Sequence, residues 1–478
     1  MRSAYDVVVI GSGPNGLAAA IVAAQRGLST IVLEARDTIG GGLRTSELTL
    51  PGFLHDVCSS VHPGASSPFF RELPLASHGL QWITPPAAAA HPLDNGEVVM
   101  LYNDVERTAE GLGVDRVRYL RTIGAIARDW PRLERDILGP LGFPAHPVAF
   151  TRFGLQALMP AELYARVAFT SYRARALFAG CAAHSILPFA SPGSAAVAIV
   201  LAATAHASGW PVARSGSISV AAALASHLIE LGGDIEPCQD IKDFRQLPDA
   251  KHVFFDTSPR AMADIMAERF PARFSWKLRN YPYGYGAFKV DWALSEKIPW
   301  TARECLEAAT VHVGGTLEEI AAAEVAPSVG GWSERPFVMV TQPSVFDETR
   351  APAGQHTAWG YCHVPNGSTI DMTERIEAQI ERFAPGFKQC ILARAVRPPA
   401  LIESENANLV GGDVGGGSNE LMNLLFRPTR RWYSTPVKGV FLCSAATPPG
   451  GGIHGMCGYH AATTAFGGGR HGGNGVRP

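Results

Sequence analysis

An α/β fold is what this sequence predicts, with a parallel sheet assembled from distant stretches of chain and a second, α+β domain under a helical cap. Three observations lead there. Residues 5–34 read as strand, turn, helix and strand; residues 440–459 read as a buried strand running into a glycine- and proline-rich loop; two long insertions of different character lie between. Val7 to Ile10 is a short β-branched run with no polar break, as expected of a strand buried on both faces of a parallel sheet. Gly11-Ser12-Gly13-Pro14-Asn15-Gly16 follows at once. In such a turn the first glycine permits the tight bend, the second lets backbone approach a pyrophosphate, and the third lets the new helix pack on the strand. Asn15 to Arg26 reads as that helix, closed by Gly27, with its N-terminus aiming partial positive charge at phosphate. Ile31 to Glu34 is the next strand. Its terminal Glu34, followed by Ala35 and Arg36, stands where a carboxylate accepts hydrogen bonds from an adenosine ribose and repels a 2′-phosphate. This is a dinucleotide site.

Gly40-Gly41-Gly42-Leu43-Arg44 is a second glycine cluster, which suits a chain folding back over the same pyrophosphate. At the far end, Val440 to Cys443 reads as a buried strand, and Ser444-Ala445 to Gly452 is so poor in side chains that backbone can lie against a flat ring. Ile453-His454-Gly455-Met456 opens a helix of small residues. These two ends resemble the flavoprotein superfamily of amine oxidases and phytoene desaturases. The nearest resemblance is to its phytoene dehydrogenase-like branch, including bacterial relatives of the pyridine nucleotide-disulfide oxidoreductase domain-containing protein 2 group. The family carries a Gly-Gly-Arg element where this chain has Leu43 and then Arg44, so either residue is a candidate for the diphosphate contact.

The resemblance implies FAD as the cofactor and a Rossmann-like FAD-binding domain, discontinuous in sequence, plus an α+β substrate domain with a helical cap. It also implies that the strand after Arg214-Ser215-Gly216-Ser217 and Leu231-Gly232-Gly233-Asp234 passes the adenine near Ile241. Residues 252–260, with Thr257, become the returning strand and phosphate-side loop. The helix near Gly455 can aim its amides at the flavin N1–C2=O edge, which becomes anionic on reduction. The expected order is FAD-binding segments at 1–104, 211–268 and 396–466, a helical cap at 105–210, a substrate-domain sheet at 269–395, and a disordered glycine-rich tail at 467–478.

Composition sets limits. At 478 residues and 46% hydrophobic the chain is long enough for two or three layers around a large core. A net charge of −2 gives no basic footprint for nucleic acid. The eight cysteines lack Cys-x-x-Cys spacing, no His-Glu-x-x-His occurs, and no metal site is expected. Scattered thiols and a fingerprint beginning at residue 5 favour the cytoplasm, with peripheral membrane contact as a further expectation. No stretch reaches the ~18–20 apolar residues of a membrane span. Ser194 to Ser208 is the most apolar helical stretch and reads as a packed core helix or as one lining a greasy substrate tunnel. Within 269–395, Gly286 to Trp292 and Phe337 to Val340 read as strands, and Thr373 to Phe383 as a helix capped from Asp371.

In such a fold the flavin carries the hard chemistry and the protein orients and shields. A second dinucleotide fingerprint is absent, so substrate itself is the expected hydride donor, with oxygen, a quinone or a carrier protein taking the electrons. The expected reaction is desaturation or isomerisation at a carbon–carbon bond of an apolar substrate. Candidates for moving the accompanying proton are His454, Cys457 and Tyr459 in the C-terminal motif, His55 and His62 after the second glycine cluster, and Asp413 in the loop 411–417. Amine oxidation is the alternative, and would use an aromatic cage for which Tyr281, Tyr283 and Tyr285 are the candidates. A non-catalytic lipid- or prenyl-binding module, as in Rab GDP-dissociation inhibitors, is the third, and the intact nucleotide motifs oppose it.

Overall fold

The structure is a computed structural model and describes residues 4–467. Its first sheet is a five-stranded parallel one, made of β1 (Ala4–Ile10), β2 (Thr30–Leu33) and three later strands. The chain leaves it to form β3 (Ala87–Pro92) and β4 (Val98–Tyr102), then returns as β5 (Asp234–Glu236), β6 (Asp249–Phe255) and, near the end, β12 (Val440–Leu442). The spatial order is β12-β6-β1-β2-β5. Val7, Val8, Val9, Ile31, Val32, Phe254 and Phe255 are fully buried. Each such side chain contributes about 1.5–3 kcal/mol of transfer free energy, which explains why the strands read as unbroken apolar runs.

Helix α1 (Pro14–Ala24) covers one face of this sheet. Pro14 sits at its first position, where a missing N–H costs nothing. The last helix of the chain reaches α1 so closely that a side chain at Gly458 would overlap the Asn15 carbonyl oxygen. That explains the run of small residues on both.

Between β4 and β5 the chain is helical: α2 (Ile123–Ile137), α3 (Pro147–Ala157), α4 (Tyr172–Ala183) and α5 (Ala195–Ser208) form the cap, and α6 (Ile218–Glu230) rejoins the nucleotide-binding half. The second sheet takes β7 (Gly286–Leu294), β8 (Ala308–Val313), β9 (Val338–Thr341), β10 (His356–Val364) and β11 (Ile391–Arg397) in the order β11-β7-β10-β9-β8-β3-β4. One expectation changes here. Residues 87–102, grouped by sequence with the first nucleotide-binding segment, are two strands of the second sheet, and β3 runs parallel to β8 in it.

Strand β7 shows how the second sheet works. Phe288, Val290, Trp292 and Leu294 point to one face, where they share a core with Ile376, Ile380 and Phe383 of α7 (Thr373–Phe383). Ala287, Lys289 and Asp291 alternate with them and lie on the other face, as the period of two demands. The cap sits on that inner face at the far side of the sheet: a Cβ at Gly180 of α4 would lie 2.5 Å from Nδ1 of His312 on β8. Helix α8 (Met456–Ala465) closes the fold. The glycine-rich tail lies outside the described residues apart from Gly467, which is in a turn.

Candidate active site

One cavity of about 900 Å³ runs from the turn after β1, past the C-terminal loop, to the space between the second sheet and the cap. At its nucleotide end Gly11 has φ +100°, a left-handed conformation that favours glycine, and a Cβ there would lie 2.7 Å from the Asp256 carbonyl oxygen. A Cβ at Gly13 would come within 2.5 Å of Asp256 Oδ2. Gly11, Ser12, Gly13, Pro14 and Asn15 line the cavity, whereas Gly16 does not: its missing side chain lets α1 press onto the Gly11 carbonyl. Gly11 thus makes the turn and Gly16 the packing that the spacing predicts, with Gly13 in the cavity wall between them.

Glu34 lines the same end. Its Oε2 accepts from Ser12 N–H (3.0 Å) and the Ser12 hydroxyl (2.5 Å), and its Oε1 accepts from Arg36 N–H (3.0 Å) and Arg44 Nη2 (3.1 Å). Of the two candidates for the diphosphate contact, Leu43 is fully buried in the core and Arg44 lines the cavity. Ala35, Arg36, Gly41, Gly42, Ile241, Thr257, Ser444, Ala445, Gly452 and Ile453 are also in the wall. Gly455 and Met456 are not, since Gly455 (φ +67°) turns the chain into α8 and Met456 belongs to the core.

The proton-transfer candidates separate into two groups. His62 and His454 line the cavity, and burial pushes each down to about 4. The Ser217 hydroxyl donates to the Ser59 carbonyl (2.5 Å), so toward His62 Nε2 (3.0 Å) it must accept. That sets the proton on Nε2 and leaves Nδ1 with its lone pair, buried and without a partner. His454 Nδ1 accepts from Met456 N–H at 3.0 Å.

The other four candidates lie outside the cavity wall. Cys457 is buried, its thiol against the carbonyls of Thr447 and Gly450 (3.4 Å each) and pushed up to about 11 by burial, which leaves it a neutral filler. Tyr459 packs on Phe69 with ring centres 5.8 Å apart. His55 bonds Thr49 (2.8 Å), has its Nδ1 3.6 Å from Asp291 Oδ1, and is pushed down to about 3, chiefly by burial and then by Lys289. Asp413 accepts from the N–H groups of Gly284 and Gly415 (2.7 Å each), a loop fastening.

Three wall residues escaped the sequence reading. Asp256, at the end of β6, accepts from Gly16 N–H (2.8 Å); burial first, then the Glu34 charge, push it up to about 7. Lys289 is 4% exposed on the inner face of β7, bonded to the Asp291 carboxylate and the Asp56 carbonyl (3.1 Å), with Nζ 4.9 Å above the Trp359 ring. Burial lowers its proton affinity. Arg397 is paired directly with Lys289 across strands β11 and β7, and its Nε and Nη1 are buried without partners. A lysine and an aspartate two residues apart inside an otherwise apolar strand were the available signal. Of the three tyrosines proposed as a cage, Tyr283 alone lines the cavity, and Tyr281 instead bonds the Gly416 carbonyl at 3.3 Å.

Beyond Lys289 the walls become apolar: Ile137, Phe153, Val197, Val200 and Leu201 from the cap face Met339, Trp359 and Tyr361 of the sheet. Helix α5 therefore does both things expected of it. Ala198, Ile199, Ala202 and Ala203 pack in the core, while Ala196, Val197, Val200, Leu201 and Thr204 form the chamber wall.

A dinucleotide fits the polar end. Asn15 Oδ1, Ser444 Oγ and Arg397 Nε and Nη1 are buried wall atoms with no partner in the chain, and buried polar groups are otherwise nearly always satisfied. Residues 6–93 match the family described as FAD dependent oxidoreductase. The chain is an FAD-dependent oxidoreductase. The flavoprotein is 24% identical to mouse (Mus musculus) pyridine nucleotide-disulfide oxidoreductase domain-containing protein 2 over 98% of this chain and 94% of that protein. It is 27% identical to hydroxyneurosporene desaturase of Cereibacter sphaeroides over 54% of this chain and 57% of the desaturase. The fold is shared with an oxidoreductase from Methanosarcina mazei at TM-score 0.64 and 14% identity, covering 96% of this chain and 99% of the other.

Proposed function

We propose that this flavoenzyme dehydrogenates a carbon–carbon bond of an apolar substrate, introducing a double bond or shifting one. The observation that carries the proposal is the single cavity that joins the nucleotide end to a chamber walled by α5, α2, α3 and the second sheet. FAD, held by the Gly11–Asn15 turn, Glu34, Arg44 and the loop 444–453, would supply the hydride acceptor, returning the hydride in an isomerisation or passing the electrons to a quinone, a carrier protein or oxygen in a desaturation. His62 supports this reading, since its unpartnered Nδ1 can receive the proton that leaves the neighbouring carbon without first losing one. The likeness to a desaturase supports the same reaction class.

Amine oxidation is less favoured. A cationic amine entering the chamber meets the Lys289 ammonium already seated over Trp359, and the tyrosines at 281 and 285 do not face the cavity. Peripheral membrane contact is part of the proposal: Phe143, Val148 and Leu155 on and before α3 are 85%, 80% and 70% exposed, while Phe153 of the same helix lines the chamber.

Anaerobic mixing of the FAD-loaded protein with long-chain alkenes, unsaturated fatty acids and primary amines, followed in the visible flavin band, tests the reaction class. Bleaching by an unsaturated apolar chain is the expected result. Bleaching by amines alone would overturn it.

A further inference from the structure

We propose that His78, His227 and Glu230 form a binding site for a divalent transition-metal cation, zinc(II) foremost, on the nucleotide-binding half and away from the active-site cavity. Among the described residues they are the group of three metal-ligating side chains whose donor atoms converge within 4.8 Å. His227 and Glu230 are three residues apart on the last turns of α6 and so share a face. His78 comes from the turn before Leu80 and faces them. The donor atoms form a near-equilateral triangle: His78 Nε2 to His227 Nδ1 is 3.2 Å, His78 Nε2 to Glu230 Oε2 is 3.1 Å, and His227 Nδ1 to Glu230 Oε2 is 3.4 Å.

Hydrogen bonds alone cannot satisfy such a triangle. An ionised carboxylate only accepts, so both edges to Glu230 need donating nitrogens, and the nitrogen–nitrogen edge then opposes two N–H groups. If either nitrogen accepts instead, its lone pair faces the carboxylate oxygen. Every protonation state with Glu230 ionised leaves one edge repulsive. A cation at the centre, receiving three lone pairs, satisfies all three.

The dimensions agree. Ligand bonds of about 2.0–2.2 Å to a tetrahedral zinc set the ligand atoms about 3.3–3.6 Å apart. The triangle would widen by only a few tenths of an ångström. His78 Nδ1 lies 2.9 Å from the Ser226 hydroxyl, an outer partner of the kind that holds a ligating imidazole in its tautomer. His227 Nε2 is buried with no partner, so that ring makes its polar contacts at the triangle. The two imidazoles are 10% and 8% exposed and the Glu230 side chain 66%, which leaves a fourth position open to water. None of the three lines the active-site cavity. The ion would fasten the 74–80 turn to α6.

Zinc(II) titrated into chelator-treated, FAD-loaded protein, followed by calorimetry and by melting temperature, tests the site. The wild type should bind one equivalent and melt higher with it. H78Q, H227Q and E230Q should each weaken binding by about tenfold or more, with the flavin spectrum unchanged, while H146Q, at an exposed histidine elsewhere, should bind as wild type does. E230Q is the variant least able to disturb packing, because its side chain is mostly in solvent. Failure of the wild type to bind one equivalent, or equal affinity in wild type and E230Q, would overturn the proposal.

Discussion

An added methyl group at Gly16 would land on the Gly11 carbonyl oxygen and press on Asp256 Cβ at 3.0 Å. Nothing there can give way, since every neighbour is backbone or buried side chain. G16A should therefore cost about 1–3 kcal/mol through overpacking and release FAD, measured as flavin retained after gel filtration and as denaturation midpoint. Gly27 is the control: at φ +74° with open space around it, G27A should cost about 1–2 kcal/mol and keep its flavin. The glycine turn was readable because strand, turn and helix are contiguous and each glycine's task is local. Asp256 and Lys289 were hidden for the opposite reason. One owes its position to the pairing of β6 with β1, the other to the register of β7 between β11 and β10, and neither pairing is written in nearby residues. Asp413 sits in a glycine-rich loop and Cys457 in the first turn of α8, where sequence alone leaves their polar atoms looking free, whereas both are taken up by backbone groups.

At the scale of elements, α3 presents Phe153 to the chamber and Val148 and Leu155 to solvent, with the side chains of Arg132, Arg135 and Arg152 half or more exposed nearby in sequence and on α2. An apolar face edged by guanidinium groups suits an anionic bilayer surface. The wild type should float with vesicles containing phosphatidylserine, and V148E/L155E should lose that flotation while retaining its flavin. Flotation unaffected by the double substitution would remove α3 from the contact. Sequence periodicity found α5, α7 and β7 at nearly their observed limits. It missed β3 and β4 as members of the second sheet because a short apolar strand reads alike in either sheet, and partner choice is a long-range matter.

The whole molecule carries an acid sensitivity. His62, His91, His206, His454 and His460 are pushed down to about 4 and His55 and His184 to about 3, in each case first by burial, from an ordinary value of 6.5. Between those values the unfolded chain binds more protons than the folded one, so stability is full above pH 6.5 and is lost as pH falls toward 4. Asp256, raised to about 7, acts in the opposite sense, as do Asp291 and Asp413, which burial also raises, three acids against these seven histidines. The melting temperature should fall steeply from pH 6.5 to pH 4.5 or so, read by scanning calorimetry. A flat profile over that range would contradict the burial of these rings.

The strand order β12-β6-β1-β2-β5 also has a meaning in time. During synthesis β1, β2 and the glycine turn leave the ribosome more than 400 residues ahead of β12 and the Ser444–His454 wall. Through that interval a nascent chain exposes a half-built nucleotide sheet with an open edge. The flavin's berth waits for residues 440–454, and a ribosome stalled short of Ser444 holds a protein that has its fingerprint and still lacks that wall.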